Sequence, residues 1–247
     1  MELRDFFAEN PSAALAFSGG VDSSYLLYAA MKYGKDIKAY YINTAFQPAF
    51  ELKDAIDVAA HVGANMMVVE LDVLKDNKLM ENTPERCYFC KYVIFNTMIK
   101  LAAADGYKLV IDGTNASDDA GDRAGMRALN ELMVRSPLRE CGLTKDMIRK
   151  LSREAGLPTW NKPAYACLAT RIPSGRSISA ELLEKVEKAE DAMFALGFTD
   201  FRVRVEGDAA RLQLPLPQMP AALEKRDAIL GGLKQYFPVV LLDMETR

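Results

Sequence analysis

The 247-residue chain is 50% hydrophobic and carries a formal net charge of -3. At about 150 residues per domain this is one large domain or one and a half, with enough apolar material for a sizeable core, which excludes a disordered chain. The slight acidic excess excludes a broad non-specific nucleic-acid surface, which needs clustered basic charge, but leaves room for a local basic pocket that binds phosphates.

No apolar run reaches the roughly 18 residues of a membrane-spanning helix. The first ten residues are acidic and lack the continuous apolar stretch of a secretory signal. A cytoplasmic protein with no membrane partner is expected. In that setting four cysteines point to metal binding, catalysis or core packing rather than to disulfides. A single histidine, His61, leaves little material for a His-rich metal site or a Ser–His–Asp triad.

In chain order, residues 13–17 read as a buried strand and 22–33 as a helix. Residues 37–42 are a strand, 49–61 a helix, 66–71 a strand, 85–104 a helix and 108–111 a fourth strand. Continuous apolar strands alternating with helices predict a parallel sheet covered on both faces. A helix follows at 144–155, with Thr144 as N-cap and Gly156 as its stop. The stretch from Leu157 to Ser177, dense in proline and glycine, is a long loop of the kind that carries function. A helix at 179–196 capped by Ser179, strands at 201–205 and 210–214 around Gly207, a helix at 218–236 and a strand at 238–242 complete the chain. The expected architecture is a doubly wound α/β domain over 1–160, an active-site loop over 161–178 and a smaller α+β domain over 179–247.

Ser18-Gly19-Gly20-Val21-Asp22-Ser23-Ser24 stands where the first strand gives way to a helix, the place where open α/β sheets bind ligands. Two glycines let backbone approach an anion closely. The helix N-terminus offers free N–H groups and a positive dipole to phosphate, and Ser18, Ser23 and Ser24 add hydroxyls. The pattern is neither a Walker A loop nor a dinucleotide fingerprint. It resembles the phosphate loop of the PP-loop ATP pyrophosphatases, also called the adenine nucleotide alpha hydrolase-like fold. That resemblance implies a grip on the β,γ-pyrophosphate of ATP while AMP is transferred. Asn43 and Thr44, after the second strand, are expected to line the adenosine. Asp112, Gly113, Thr114 and Asn115 follow the fourth strand. Asp112, Asp118, Asp119 and Asp122 offer hard oxygens suited to Mg²⁺.

Cys87 and Cys90 form a Cys-x-x-Cys pair and Cys167 lies in the long loop, while Cys141 stands alone and is expected to pack in the core. The pair suits half of a zinc site, a redox couple or core packing. Three converging cysteines would instead hold a four-iron four-sulfur cluster with one iron open.

SGGVDSS, PERCYFCK, DGTNASDDAGDRAGMRALNEL, RSPL, ACLATRIPSG and RVRVEGDAARLQ, in that order over nearly the whole chain, together resemble the LarE family. The resemblance implies an ATP-dependent sulfur transferase of nickel-pincer nucleotide synthesis that adenylates a carboxylate of pyridinium-3,5-biscarboxylic acid mononucleotide and replaces it with a thiocarboxylate. It places Cys167, Asp22 and Glu190 among the catalytic groups and implies a homohexamer. Sulfur comes either from a cluster on Cys87, Cys90 and Cys167, the type this sequence resembles, or from Cys167 itself, which becomes dehydroalanine. Arg202 and Arg204 alternate on a strand and so face one way. With Arg171 and Arg211 they are expected to bind the mononucleotide phosphate. Many family members carry an acid where this chain has Gln213. The alternatives are a tRNA thiolase or an ammonia-using synthetase with the same ATP chemistry, or a non-catalytic nucleotide sensor.

Overall fold

A strand whose central residues are all small and apolar has no face to give to water, so it must sit inside a sheet covered on both sides. The computed structural model, which describes residues 1–118 and 123–246, has that arrangement. Its elements are α1 (Leu3–Glu9), β1 (Ser12–Ala16), α2 (Val21–Tyr33), β2 (Asp36–Asn43), α3 (Ala49–His61), β3 (Asn65–Glu70), α4 (Asn77–Met80), α5 (Arg86–Ala104), β4 (Val110–Ile111), α6 (Arg123–Glu131), α7 (Pro137–Glu140) and α8 (Lys145–Glu154). These are followed by α9 (Ala180–Ala195), β5 (Arg202–Glu206), β6 (Ala209–Gln213), α10 (Met219–Glu224), α11 (Arg226–Leu233) and β7 (Val239–Leu242). The chain divides into two units. The first holds residues 1–44, 49–73 and 85–162; the second holds 45–48, 74–84 and the chain from Pro163 on.

The first unit is a doubly wound α/β fold. Its four parallel strands run in the order β3-β2-β1-β4. Side chains alternate across a strand, and the two faces feed two separate cores. Ala13, Leu15, Ala39 and Tyr41 pack with residues of α1, α2 and α3. Ala14, Tyr40 and Ile42 pack with Phe95, Met98 and Ala102 of α5. Cys141 packs against the first of these cores, as expected of it. The chain builds outward from β1 through β2 to β3, then returns to place β4 on the other side of β1. That reversal opens a crevice at the carboxyl ends of β1 and β4.

The caps read from the sequence are present. Thr144 Oγ1 accepts from Met147 N at 3.4 Å and Ser179 Oγ accepts from Leu182 N at 3.1 Å, each satisfying one orphan donor of its helix. The sequence reading missed α1, whose seven residues are too few to show a helical period, although Phe6 and Phe7 are fully buried.

In the second unit, β5 and β6 form an antiparallel hairpin and β7 adds in parallel to β6. Val203, Val205, Ala210 and Leu212 are buried. Arg202 stands opposite Gln213 and Arg204 opposite Arg211, so these four share the other face. The helix expected over 218–236 is two helices. It breaks at Lys225, whose backbone leaves helical values (φ -89, ψ 14) and whose ammonium donates to Leu196 O at 2.7 Å. Among the described residues no helix is long and apolar enough to cross a membrane.

Candidate active site

The loop after β1 reaches α2 through a left-handed residue. Gly19 has φ +70, and a Cβ there would stand 3.0 Å from Cα and Cβ of Ala55 on α3. Only glycine fits that approach. Across the crevice, a Cβ on Gly113 would meet Ser23 N at 2.9 Å, so the turn after β4 lies directly on the start of α2. The loop hydroxyls bond among themselves: Ser18 Oγ and Ser23 Oγ are 3.0 Å apart, and Ser23 Oγ donates to Gly20 O at 3.3 Å.

Around this loop several buried polar atoms have no hydrogen-bond partner among the described residues: Asp22 Oδ1, Ser24 Oγ, Asn115 Nδ2 and the Tyr41 hydroxyl. Buried polar groups are almost always satisfied. A cluster of orphans at the switch point of a doubly wound sheet fits a site that a polar ligand completes. Burial raises the Asp22 carboxyl above the usual carboxylate range against the pull of Lys145, and burial hinders ionisation of Tyr41 as well.

Two lysines flank the loop. Lys145, the first residue of α8, sets its Nζ 2.5 Å from Asp22 Oδ2. Lys162 sets its Nζ 2.7 Å from Asp54 Oδ2 and 3.5 Å from Gly19 O. Arg149 holds the segment leading to Lys162 by donating to Trp160 O and Lys162 O, both at 2.9 Å.

Asp112 is buried, and its two oxygens accept from Ser136 Oγ at 2.6 Å and Thr114 Oγ1 at 2.5 Å. Burial, opposed by these two hydrogen bonds, raises its carboxyl above the ordinary range. Asp118 caps the local turn, Oδ2 accepting from Asn115 N at 2.8 Å. Asp119 and Asp122 lie outside the described residues. Asn43 is drawn sideways at the end of β2, its amide donating to both oxygens of Glu70 at 3.0 Å.

In the second unit the loop with Cys167 is held by a buried ion pair. Arg171 and Glu190 are each 1% exposed. Arg171 Nε donates to Glu190 Oε1 at 2.8 Å and Nη2 to Oε2 at 3.1 Å. Arg171 Nη1 donates to Ala166 O at 2.8 Å and Thr170 Oγ1 at 2.9 Å. Tyr165 donates its hydroxyl to Glu190 Oε2 and lays its ring 4.5 Å from the guanidinium. Burial works against the Arg171 charge, but the Glu190 hydrogen bond and charge outweigh it. The sequence expectation grouped Arg171 with the phosphate-binding arginines and Glu190 with the catalytic acids. In the structure the two are paired with each other in the interior, because each buried charge needs the other. Arg202, Arg204 and Arg211 do share one sheet face. Arg204 donates to Gln213 Oε1 and, at 2.9 Å, to Thr170 O. Arg211 stands 3.5 Å from Asp243 and 3.6 Å from Glu206.

Residues 12–86, from β1 through the phosphate loop to the start of α5, match the family described as queuosine biosynthesis protein QueC. Over 98% of this chain and 92% of the relative, the sequence is 38% identical to the uncharacterized protein slr1717 of Synechocystis sp.. It is 33% identical, over 93% of this chain and 84% of the relative, to the pyridinium-3,5-bisthiocarboxylic acid mononucleotide synthase of Lactiplantibacillus plantarum. The chain belongs to the LarE family. It is an ATP-dependent, adenylating sulfurtransferase of the PP-loop class. A more distant relative, the tRNA-specific 2-thiouridylase MnmA of Clostridium acetobutylicum, is 25% identical over 62% of this chain and 54% of its own length.

In this LarE-family chain Cys87 and Cys90 lie on the first turn of α5, one helical turn apart and so on one face. Arg86 Nη2 approaches Cys87 Sγ at 3.8 Å. Two soft thiols so placed suit two corners of an iron–sulfur cluster. Cys167 belongs to the second unit. Within neither unit, among the described residues, do three or more His, Cys, Asp or Glu side chains gather as a metal site. Sequence reasoning passed over Lys145, Lys162 and Ser136 as site residues. Lys145 meets Asp22 across 123 positions and Lys162 meets Gly19 across 143, distances at which no local pattern signals a pairing.

Proposed function

We propose that this chain converts a carboxylate of pyridinium-3,5-biscarboxylic acid mononucleotide to a thiocarboxylate through an acyl adenylate. The observation that carries the reading is the phosphate loop at the β1–β4 crevice with its buried, unpartnered polar atoms, together with the activity that names the L. plantarum relative. A carboxylate is a poor electrophile. Its oxygen attacks the α-phosphorus of ATP, the bond to the β-phosphate breaks, and pyrophosphate leaves. The N–H groups at the start of α2, the hydroxyls of Ser18, Ser23 and Ser24, and the ammonium groups of Lys145 and Lys162 take up its charge. Mg²⁺, when bound, offsets the same charge, and Oδ1 of Asp22 is the carboxylate oxygen best suited to it, because both oxygens of Asp112 and Oδ2 of Asp22 are already held. Asn43, Gly113 and Thr114 complete the nucleotide pocket. Sulfur then adds to the acyl carbon, the C–O bond breaks, and AMP leaves.

The mononucleotide phosphate is assigned to Arg202, Arg204 and Arg211 on their common face. The second unit thus binds substrate, and exposed Val239 and Leu241 on its edge strand support a further role in self-association. A four-iron four-sulfur cluster, when bound by Cys87, Cys90 and Cys167, supplies a transferable sulfide at an open iron. The placement of Cys167 in a unit with no other cysteine keeps a second donor in play. There the Cβ–S bond of Cys167 breaks with loss of its α proton, leaving dehydroalanine. The test is iron and acid-labile sulfide per chain in protein purified without oxygen, beside Cys167→Ala, with product mass read after addition of ATP and the mononucleotide. Cluster-level iron lost in Cys167→Ala, with a thiocarboxylate formed by the parent protein, is expected. Thiocarboxylate formed without iron, with Cys167 lighter by the elements of hydrogen sulfide, establishes the sacrificial route. ATP cleavage with no thiocarboxylate from either preparation overturns the substrate assignment.

A further inference from the structure

Glu190 is in contact with more than one functional segment of the second unit. Its Oε1 accepts from Arg171 Nε at 2.8 Å and from Val203 N at 2.9 Å. Its Oε2 accepts from Arg171 Nη2 at 3.1 Å and from the Tyr165 hydroxyl. Arg171 in turn grips Ala166 O and Thr170 Oγ1 on either side of Cys167, and lies 3.5 Å from Cys167 O itself. Cys167 O also accepts from Thr170 N at 2.9 Å and Thr170 Oγ1 at 2.7 Å, which winds residues 168–171 into a single tight turn. Val203 lies between Arg202 and Arg204 on β5, and Arg204 Nη1 reaches back to Thr170 O at 2.9 Å. One carboxylate therefore ties the backbone that carries the thiol to the backbone that carries the arginines.

We propose that the Tyr165–Glu190–Arg171 network is a positioning device that fixes the Cys167 backbone relative to Arg202 and Arg204, so that the sulfur stands in register with the acyl carbon of a substrate held by its phosphate. The inference rests on the assignment of those arginines to the substrate phosphate. A network of this kind is worth more than isolated bonds because every member is satisfied and its two charges, Arg171 and Glu190, are buried. Four acceptor contacts on Glu190, to the side chains of Arg171 and Tyr165 and to Val203 N, leave the carboxylate no free direction, which is what positioning requires and what proton transfer to a substrate excludes. Glu190 and Arg171 are positioning residues in this scheme, and the catalytic group is Cys167.

The test pairs a gentle variant with a severe one in the full-length protein. Tyr165→Phe removes one hydroxyl donor from Glu190 and keeps the ring on Arg171, so the fold is retained. Glu190→Gln keeps the shape and removes the charge. Three quantities are read: the alkylation rate of Cys167 by iodoacetamide in iron-free protein, followed by mass at that residue; the mononucleotide-dependent release of pyrophosphate; and thiocarboxylate formation. For Tyr165→Phe, loss of one hydrogen bond to a charged group should lower thiocarboxylate kcat about tenfold, change the Cys167 alkylation rate severalfold, and leave the KM for ATP and pyrophosphate release unchanged. Glu190→Gln should show the same pattern more strongly, and Glu190→Asp should restore part of it. Unchanged alkylation and kcat in folded Tyr165→Phe and Glu190→Gln would overturn the proposal. So would losses that only track the folded fraction in a melt. If alkylation shifts as expected while the parent protein makes no thiocarboxylate, the positioning device stands and the substrate assignment fails.

Discussion

Placing a methyl group on Gly19 tests the phosphate loop most directly. The residue sits at φ +70, a backbone value that costs a side-chain-bearing residue roughly 1–2 kcal/mol. The new Cβ would lie 3.0 Å from Cα and Cβ of Ala55 and 3.1 Å from its N. Ala55 is itself fully buried on α3, so nothing there is a flexible tip that could swing aside. Overpacking of a rigid contact adds about 1–3 kcal/mol. Together Gly19→Ala should cost about 2–5 kcal/mol. In a chain of this length each kcal/mol lowers Tm by about 2–4 °C. The loss appears as a Tm lower by roughly 5–15 °C, or, where the loop yields instead, as weaker ATP binding at tenfold per 1.4 kcal/mol. Gly20→Ala is the control. Gly20 has φ -78, and its added Cβ would meet only Ser18 Oγ, at 3.5 Å. Thermal melts with and without ATP, and the KM for ATP from pyrophosphate release, give both outlets. A Gly19→Ala protein matching the parent in both, or a Gly20→Ala protein as impaired as Gly19→Ala, would refute the reasoning.

Two further outcomes follow from the charges in the first unit. Lys145→Met leaves Asp22 without its cation at 2.5 Å and should raise the KM for ATP roughly tenfold, the scale of one hydrogen bond to a charged group; an unchanged KM in pyrophosphate release would remove Lys145 from the site. Asp112 has its carboxyl raised by burial from 3.8, so its contribution to stability is fully present below that value and is lost as pH rises through the raised one. Asp112→Asn, which cannot ionise, should therefore raise the urea midpoint at pH 7 relative to that at pH 4 when each is compared with the parent, and an equal shift at both pH values would show that Asp112 does not titrate in this way.

What is local and repetitive in this protein could be read along the chain. Residues 13–17 had to form an interior strand because none of them is polar, the loop from Ser18 to Ser24 had to meet a helix N-terminus, and Thr144 and Ser179 had to cap, since each of these depends on neighbours within a few residues. The alternation of Arg202 and Arg204 onto one face was legible for the same reason. The fate of charges whose partners are distant is settled by packing. Arg171 reads in sequence like any arginine beside a reactive cysteine. It becomes an interior brace because Glu190, 19 residues away, comes to meet it, and a buried guanidinium is stable only where a carboxylate meets it. Lys145 and Lys162 become part of the phosphate loop because the chain, having built outward to β3, returns across β1 and brings its later segments back to Asp22 and Gly19. Periodicity carries no record of such a return, since the pairing is fixed by the packing of the sheet and not by spacing along the chain.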